Sequence, residues 1–187
     1  MTLPFPPELN GSGTNKHRLK TLLRRQLLAS RSALTTEQQA MAALSIRDSV
    51  KSLPEWAAAK HIGIYWAFKH ELSLTELIKD SDKNFYLPRI TAKTMEFVLL
   101  ADREQLSPGK FGIMEPKGIA YSNLDMIIVP AIGVHKNGQR LGYGKGYYDR
   151  YLKDFKGFKL CVAHACQTIT QDIKEPWDIA CDKVILA

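Results

Sequence analysis

At 187 residues, with 45% hydrophobic and 24% charged content, the chain is long enough to bury a core without staples and has the composition of an ordinary globular protein. No apolar run reaches the roughly 20 residues that span a bilayer, which excludes a helical membrane anchor. The formal charge of +7 is uneven: Lys16, Arg18, Lys20, Arg24, Arg25 and Arg31 face Glu8 alone within residues 1–31, giving +5 there and leaving +2 elsewhere. That is one basic helix rather than a coat for nucleic acid, and it suits a polyanionic small molecule.

Residues 1–15 are rich in proline, glycine and polar side chains and lack a charged segment followed by an apolar one, so they read as a loose tail without a secretory signal. Residues 16–187 then read as a single domain. Leucines at 19, 22, 23 and 27 form a helical stripe over 16–32, with Lys20, Arg24 and Arg31 near one polar, solvated side. Thr35-Thr36-Glu37-Gln38 is a capping box for a helix reaching 52, and Pro54 opens another. A strand is expected over 61–68. Ser73-Leu74-Thr75-Glu76 is a second capping box, for a helix to 80. Strands follow at 84–87, closed by Pro88, and at 95–100. Residues 107–122 are glycine- and proline-rich loop. Further strands lie at 126–129, closed by Pro130, at 159–166 and at 183–186.

Strands alternating with helices predict a layered α/β/α domain with a mostly parallel sheet. Ligands gather beyond the carboxyl ends of such strands, here 66–71, 88–89, 130 onward and 164–167. Cys161, Cys166 and Cys181 form neither an even set nor a C-x-x-C pair, as expected of reduced thiols in the cytoplasm. Cys161, His164 and Cys166 do not read as a zinc site: a regular strand puts His164 opposite Cys161, and no fourth ligand is apparent.

The stretch from Asp125 to Leu152 carries the chemistry. A buried strand, an Asn137-Gly138 turn, then Gly142, Gly144 and Gly146 at every second position lead into a helix start at Tyr147. Strand, glycine loop and helix start place backbone N–H groups around one hollow, with Arg140 and Lys145 flanking it, a pattern that fits phosphate. It is neither a Walker A loop nor a dinucleotide fingerprint.

The residues G-Q-R-L-G-Y-G-K-G-Y-Y-D-R (138–150) resemble the signature of the 5-formyltetrahydrofolate cyclo-ligase family. K-T-L-L-R (20–24), E-L-S-L-T-E-L-I (71–78), Y-L-P-R (86–89), F-G-I-M-E-P (111–116), A-H-A-C-Q (163–167) and W-D-I (177–179) support it in the family's order. The chain departs from the family at His135, where Asp is frequent, and at Lys145, where a glycine is. The resemblance implies ATP- and Mg²⁺-dependent closure of 5-formyltetrahydrofolate, with or without a polyglutamate tail, to 5,10-methenyltetrahydrofolate by a monomer that binds neither nucleic acid nor membrane. It implies ATP contacts from Lys20, Arg24, Arg140, Gly142, Tyr143, Gly144, Lys145, Gly146, Tyr147 and Tyr148. It also implies catalytic roles for Arg140, Lys145 and Tyr147, substrate contacts from Trp66, Glu71 and Tyr147, and Mg²⁺ at Asp149 and Asp178. A sugar-phosphate isomerase or acyl-transfer enzyme on a similar sheet and, given the pI near 9.3, a basic nucleic-acid-binding module are the competing readings.

Overall fold

The computed structural model describes residues 12–80, 82–92, 94–101 and 106–187, so most of the expected tail, residues 1–11, lies outside the described residues. In chain order come α1 (Ser12–Ser32), α2 (Thr36–Lys51), α3 (Pro54–Ala58), β1 (His61–Gly63), β2 (Asn84–Ile90), β3 (Met95–Leu99), β4 (Ser107–Pro108), β5 (Met114–Glu115), β6 (Met126–Val129), β7 (Gly133–His135), β8 (Arg140–Leu141), α4 (Tyr147–Leu152), β9 (Phe158–Ala163), β10 (Thr168–Ile169) and β11 (Lys183–Leu186). Residues 12–15, expected in the tail, are the first turn of α1.

The central sheet has the order β11-β9-β6-β1-β2-β3. Its first five strands are parallel and β3 runs antiparallel along the edge. Side chains alternate across it with period two. Met126, Ile128, Leu160 and Val162 join Ile46, Val50 and Trp56 under α2 and α3. Ile127, Val129, Cys161 and Ala163 join Phe97 and Leu152 under α4. The sheet is thus covered on both faces, which is why its central strands are continuous apolar runs. The layered α/β/α arrangement with a mostly parallel sheet is the one expected from the sequence.

Several local readings are corrected. The strand expected over 61–68 stops at Gly63, and the one expected over 159–166 stops at Ala163. Pro88 does not end its strand; β2 runs on to Ile90. Phe85 O accepts from Leu100 N on the β3 side, and Tyr86 O accepts from Ile64 N on the β1 side. By alternation the Pro88 nitrogen points toward β1, beyond its end, so no ladder bond is lost. The helix expected from Ser73 is only a turn over 75–79. Leu72, Leu74 and Leu77 are all buried there, and burying Leu72 and Leu74 together suits extended rather than helical backbone. The expected 107–122 loop contains the β4–β5 hairpin.

A second sheet, ordered β10-β7-β8, sits where the chain leaves the carboxyl ends of β6 and β9. Gln167 fastens it. Its Nε2 donates to Ala131 O (2.7 Å) and Ile132 O (2.8 Å), while its Oε1 accepts from His164 N (3.0 Å). The turn between β7 and β8 needs Gly138, whose φ is +86° and whose absent Cβ would stand 2.2 Å from Cys181 O. Gly138 O also accepts from Cys181 N at 3.0 Å. Gly138→Ala is therefore expected to lower stability by about 1–3 kcal/mol or more. Thermal unfolding should report this as a fall of roughly 2–4 °C for each kcal/mol.

Candidate functional site

Helix α1 lies on the small sheet. Leu23 and Leu27 bury against Ile132, Leu141, Ile169 and Ile173, and an adjoining stripe of cations, Lys20, Arg24 and Arg31, is turned toward the glycine loop and the C-terminal segment. Lys20 Nζ donates to Asp178 Oδ2 at 3.0 Å and stands 4.0 Å from Glu175 Oε1. Arg24 Nε donates to Gly142 O at 2.8 Å. Arg31 Nη2 donates to the Tyr143 hydroxyl at 3.0 Å. The solvated face expected for these three charges is thus corrected. Arg31 is 2% exposed, and Arg24 is buried enough to pull its guanidinium below the ordinary arginine range, with Asp178 opposing. Helical spacing correctly grouped the cations but did not reveal that another part of the chain covers them.

The loop is shaped by its glycines where they are needed. Gly144 (φ +84°) and Gly146 (φ +68°) occupy left-handed backbone that other residues seldom adopt. A Cβ on Gly144 would also come within 3.1 Å of Arg24 Nη2, so the missing side chain lets the guanidinium lie beneath the loop. Arg140, on β8, places its guanidinium over the Tyr148 ring at 5.6 Å and donates from Nη2 to Asp149 Oδ1 at 2.8 Å. The same oxygen accepts from Ile179 N at 3.3 Å, which brings Asp149 beside the segment carrying Asp178. Asp178 Oδ2 accepts from Glu175 N as well as from Lys20. Arg150 Nη1 braces the loop by donating to Lys145 O at 3.1 Å and lies over the Tyr147 ring at 5.0 Å. Tyr147 also receives a long bond from Lys110 Nζ (3.4 Å), and the Lys145 side chain is exposed.

Glu71 reaches this cluster from the segment after β1. Its Oε2 accepts from Phe68 N at 3.0 Å, and its Oε1 accepts from the Tyr143 hydroxyl at 3.4 Å, 4.0 Å from Arg31 Nη1. Burial raises its carboxyl above the usual range, against the Phe68 amide, Arg31 and Tyr143. Trp66 is half-buried and lines a separate hollow of about 150 Å³ with Tyr65, Leu74 and Ile78. Arg89, at another strand end expected to gather ligand, instead pairs with Glu96 at 2.7 Å and donates to Gly118 O. His135 Nδ1 accepts from Asn137 N at 3.3 Å, closing the turn two residues on as an Asp carboxylate would. That substitution is absorbed locally.

Several buried polar atoms in this region have no hydrogen-bond partner: Arg31 Nε and Nη1, Arg140 Nε, the Tyr148 hydroxyl and His164 Nε2. Unpaired buried polar atoms are costly in a closed core, and each calls for a partner such as a water or an ion, or for a chemical role. Arg31 and His164 were not assigned to the site from sequence. A-H-A-C-Q carries His164 without pointing to a role for it, and the signal for Arg31 is its place four and seven residues along the stripe from Leu27 and Arg24.

Residues 16–187 match the 5-formyltetrahydrofolate cyclo-ligase family. The 5-formyltetrahydrofolate cyclo-ligase of Haemophilus influenzae is 32% identical over 171 residues, covering 84% of this chain and 91% of that protein. The Escherichia coli K12 enzyme is 30% identical over 169 residues, 83% of this chain and 93% of that one. Among solved structures, 5,10-methenyltetrahydrofolate synthetase from Aquifex aeolicus superposes with a TM-score of 0.81 at 34% identity, over 90% of this chain and 89% of that one. The synthetase from Mycoplasma pneumoniae gives 0.73 at 27%, over 89% and 97%. With the family's signature folded into one cluster of α1, loop and C-terminal segment, the conclusion is direct: the chain belongs to the 5-formyltetrahydrofolate cyclo-ligase family.

Proposed function

We propose that this protein converts 5-formyltetrahydrofolate to 5,10-methenyltetrahydrofolate with ATP, releasing ADP and phosphate. The observation that carries the reading is Arg24 lying beneath the glycine loop, donating to Gly142 O and close under Gly144, with Lys20 on the same helical stripe held at Asp178. A cation against left-handed loop backbone, with a second cation one helical turn away, suits a triphosphate. The chemistry needs such a site because the formyl oxygen is a poor leaving group. That oxygen takes the γ-phosphoryl group as ADP departs. N10 then adds to the carbon and loses its proton, and the oxygen leaves as phosphate. Arg140, Lys145 and Tyr147 stand at the loop to orient the triphosphate and offset charge as it moves, which is most of what phosphoryl transfer asks of a protein.

Asp149 and Asp178 fit Mg²⁺ in one respect. Each has one oxygen engaged, by Arg140 and Ile179 N or by Lys20 and Glu175 N, leaving a second hard oxygen. No group of three or more His, Cys, Asp or Glu side chains among the described residues forms a metal cage, and Mg²⁺ usually takes one or two carboxylates with substrate phosphates and waters. When bound, it would neutralise phosphate charge. Glu71, and Trp66 and Tyr147 with it, would contact the folate. The reading extends to a cytoplasmic monomer acting on small molecules. No described helix is long and apolar enough to cross a membrane, and the inward turn of Lys20, Arg24 and Arg31 removes part of the basic surface that a nucleic-acid partner needs.

Mixing the protein with 5-formyltetrahydrofolate, ATP and Mg²⁺ should produce the near-ultraviolet absorbance of the methenyl product; its absence rules the reaction out. Arg24→Ala should raise KM for ATP about ten- to hundredfold, the equivalent of a charged hydrogen bond of about 1.5–3 kcal/mol. An unchanged KM would leave Arg24 as a structural brace only. Asp149→Asn leaves Arg140 facing a weaker acceptor and should cost about 1.5–3 kcal/mol of stability whether or not it holds metal. A Mg²⁺ titration separates the roles. A metal ligand requires kcat to fall by roughly 10² or more and the half-saturating Mg²⁺ to rise, whereas an unchanged Mg²⁺ dependence means that Asp149 serves Arg140 alone.

A further inference from the structure

Arg31 has no part in the chemistry above, yet its setting is demanding for an arginine. It is 2% exposed, and Nε and Nη1 have no hydrogen-bond partner. A buried guanidinium persists where a counter-charge and acceptors are close. Here the nearby carboxylate is Glu71, whose side chain is itself 8% exposed and whose Oε1 is 4.0 Å from Arg31 Nη1. A second path joins them. Arg31 Nη2 donates to the Tyr143 oxygen (3.0 Å), and the Tyr143 hydroxyl donates on to Glu71 Oε1 (3.4 Å). That direction of donation suits an ionised carboxylate at the far end.

The groups around Glu71 come from several elements. Burial favours its protonated form, and the Phe68 amide, Arg31 and Tyr143 favour the ionised one. Tyr65, which is buried, and Tyr148, partly buried with its oxygen enclosed, present hydroxyls whose acidity is suppressed mainly by burial and then by Glu71. Behind Arg31 stand His164, held toward its neutral form by burial and by Arg31, and Cys166, whose thiol is raised by burial. Arg31 is the cation that acts on Glu71. Arg140, over the Tyr148 ring, acts on Tyr148 instead.

We propose that Arg31 is a positioning residue for folate recognition: it keeps Glu71 ionised and aimed through Tyr143, so that Glu71 accepts adjacent N–H donors of the pterin ring. The inference rests on the reading of Glu71 as a substrate contact. An ionised carboxylate offers two acceptors to the neighbouring 2-amino and ring N–H groups of a pterin, and a protonated one turns one oxygen into a competing donor. Tyr143 sits between Gly142 and Gly144, so the same chain of contacts ties the Glu71 carboxylate to the glycine loop.

The test is the pH dependence of kcat/KM for 5-formyltetrahydrofolate at saturating ATP, in wild type, Arg31→Met, Arg31→Lys, Tyr143→Phe and Glu71→Gln. Loss of the cation should move the acidic limb upward by about 1–3 pH units, with KM for folate raised more than kcat is lowered. Arg31→Lys should restore most of the shift, and Tyr143→Phe should move the limb the same way by less. Arg31→Met should add nothing in the Glu71→Gln background. An unmoved limb in folded Arg31→Met, or losses that multiply with Glu71→Gln, would falsify the assignment. Tyr143 is half exposed, so its Phe variant stays informative if Arg31→Met does not fold; an unmoved limb there overturns the relay. If wild type makes no methenyl product, it is the functional reading that fails. A carbon-13 titration of the Glu71 carboxyl in ligand-free wild type, Arg31→Met and Tyr143→Phe then decides whether Arg31 controls its charge: a midpoint unmoved in both variants overturns the assignment.

Discussion

Positive charge taken out of water is the constraint on which the arrangement depends. The Arg140 side chain is 4% exposed and that of Lys20 13%, Arg31 is buried and Arg24 partly so. Each must meet an acid or a carbonyl, because a buried cation without a partner is far more costly than the pair is stabilising. The partners come from separated stretches: Glu71 after β1, Gly142 and Tyr143 in the loop, Asp149 in α4, and Glu175 and Asp178 near the C-terminus. Pairing therefore pulls helix, loop and C-terminal segment against one another. It also stops short of completion. Arg31 and Arg140 each retain unpartnered nitrogen atoms, so acceptors are fewer than donors in a region that the proposed reading fills with phosphate and folate.

The apolar framework makes this constraint enforceable. Leu23 and Leu27 fix the roll of α1 on the small sheet, and with that roll fixed, the cations on the adjoining stripe have one direction to point. Gln167 fixes the small sheet to the end of β6 through Ala131 and Ile132. The glycine loop then has little freedom. It passes over the Arg24 guanidinium where a Cβ would crowd it and turns at Gly144 and Gly146 through left-handed backbone.

The layered sheet was legible because its signals are local. Apolar runs at 126–129 and 160–163 need no knowledge of the rest of the chain. Thr35 shows the same: its hydroxyl accepts from Gln38 N while Gln38 reaches back to Thr35 N. Ser73 carries the same motif, but Leu72, Leu74 and Leu77 are drawn into the core and tertiary burial overrides a weak local preference. Arg31 was misread for a related reason. Helical periodicity assigns a residue to a face and says nothing of what covers that face. The Arg31–Glu71–Tyr143 contact joins three stretches that no spacing rule connects, and His164 enters the site because β9 ends at Ala163, a boundary its apolar residues do not announce.

The sequence distances across the site have a consequence for how it forms. Lys20 and Asp178 are 158 residues apart, Arg24 and Gly142 118, Arg31 and Tyr143 112, and Glu71 and Tyr143 72. None of these contacts exists until the large loops between them have closed, so their entropy is offset mainly by the sheet and its helices rather than by the contacts themselves. The site is thus completed by a helix from the beginning of the chain docking on elements made near its end. Any opening that lifts α1 from the small sheet removes Lys20, Arg24 and Arg31 together. On the proposed reading, the hydrophobic grip of Leu23 and Leu27 is then as much a part of binding as the cations are.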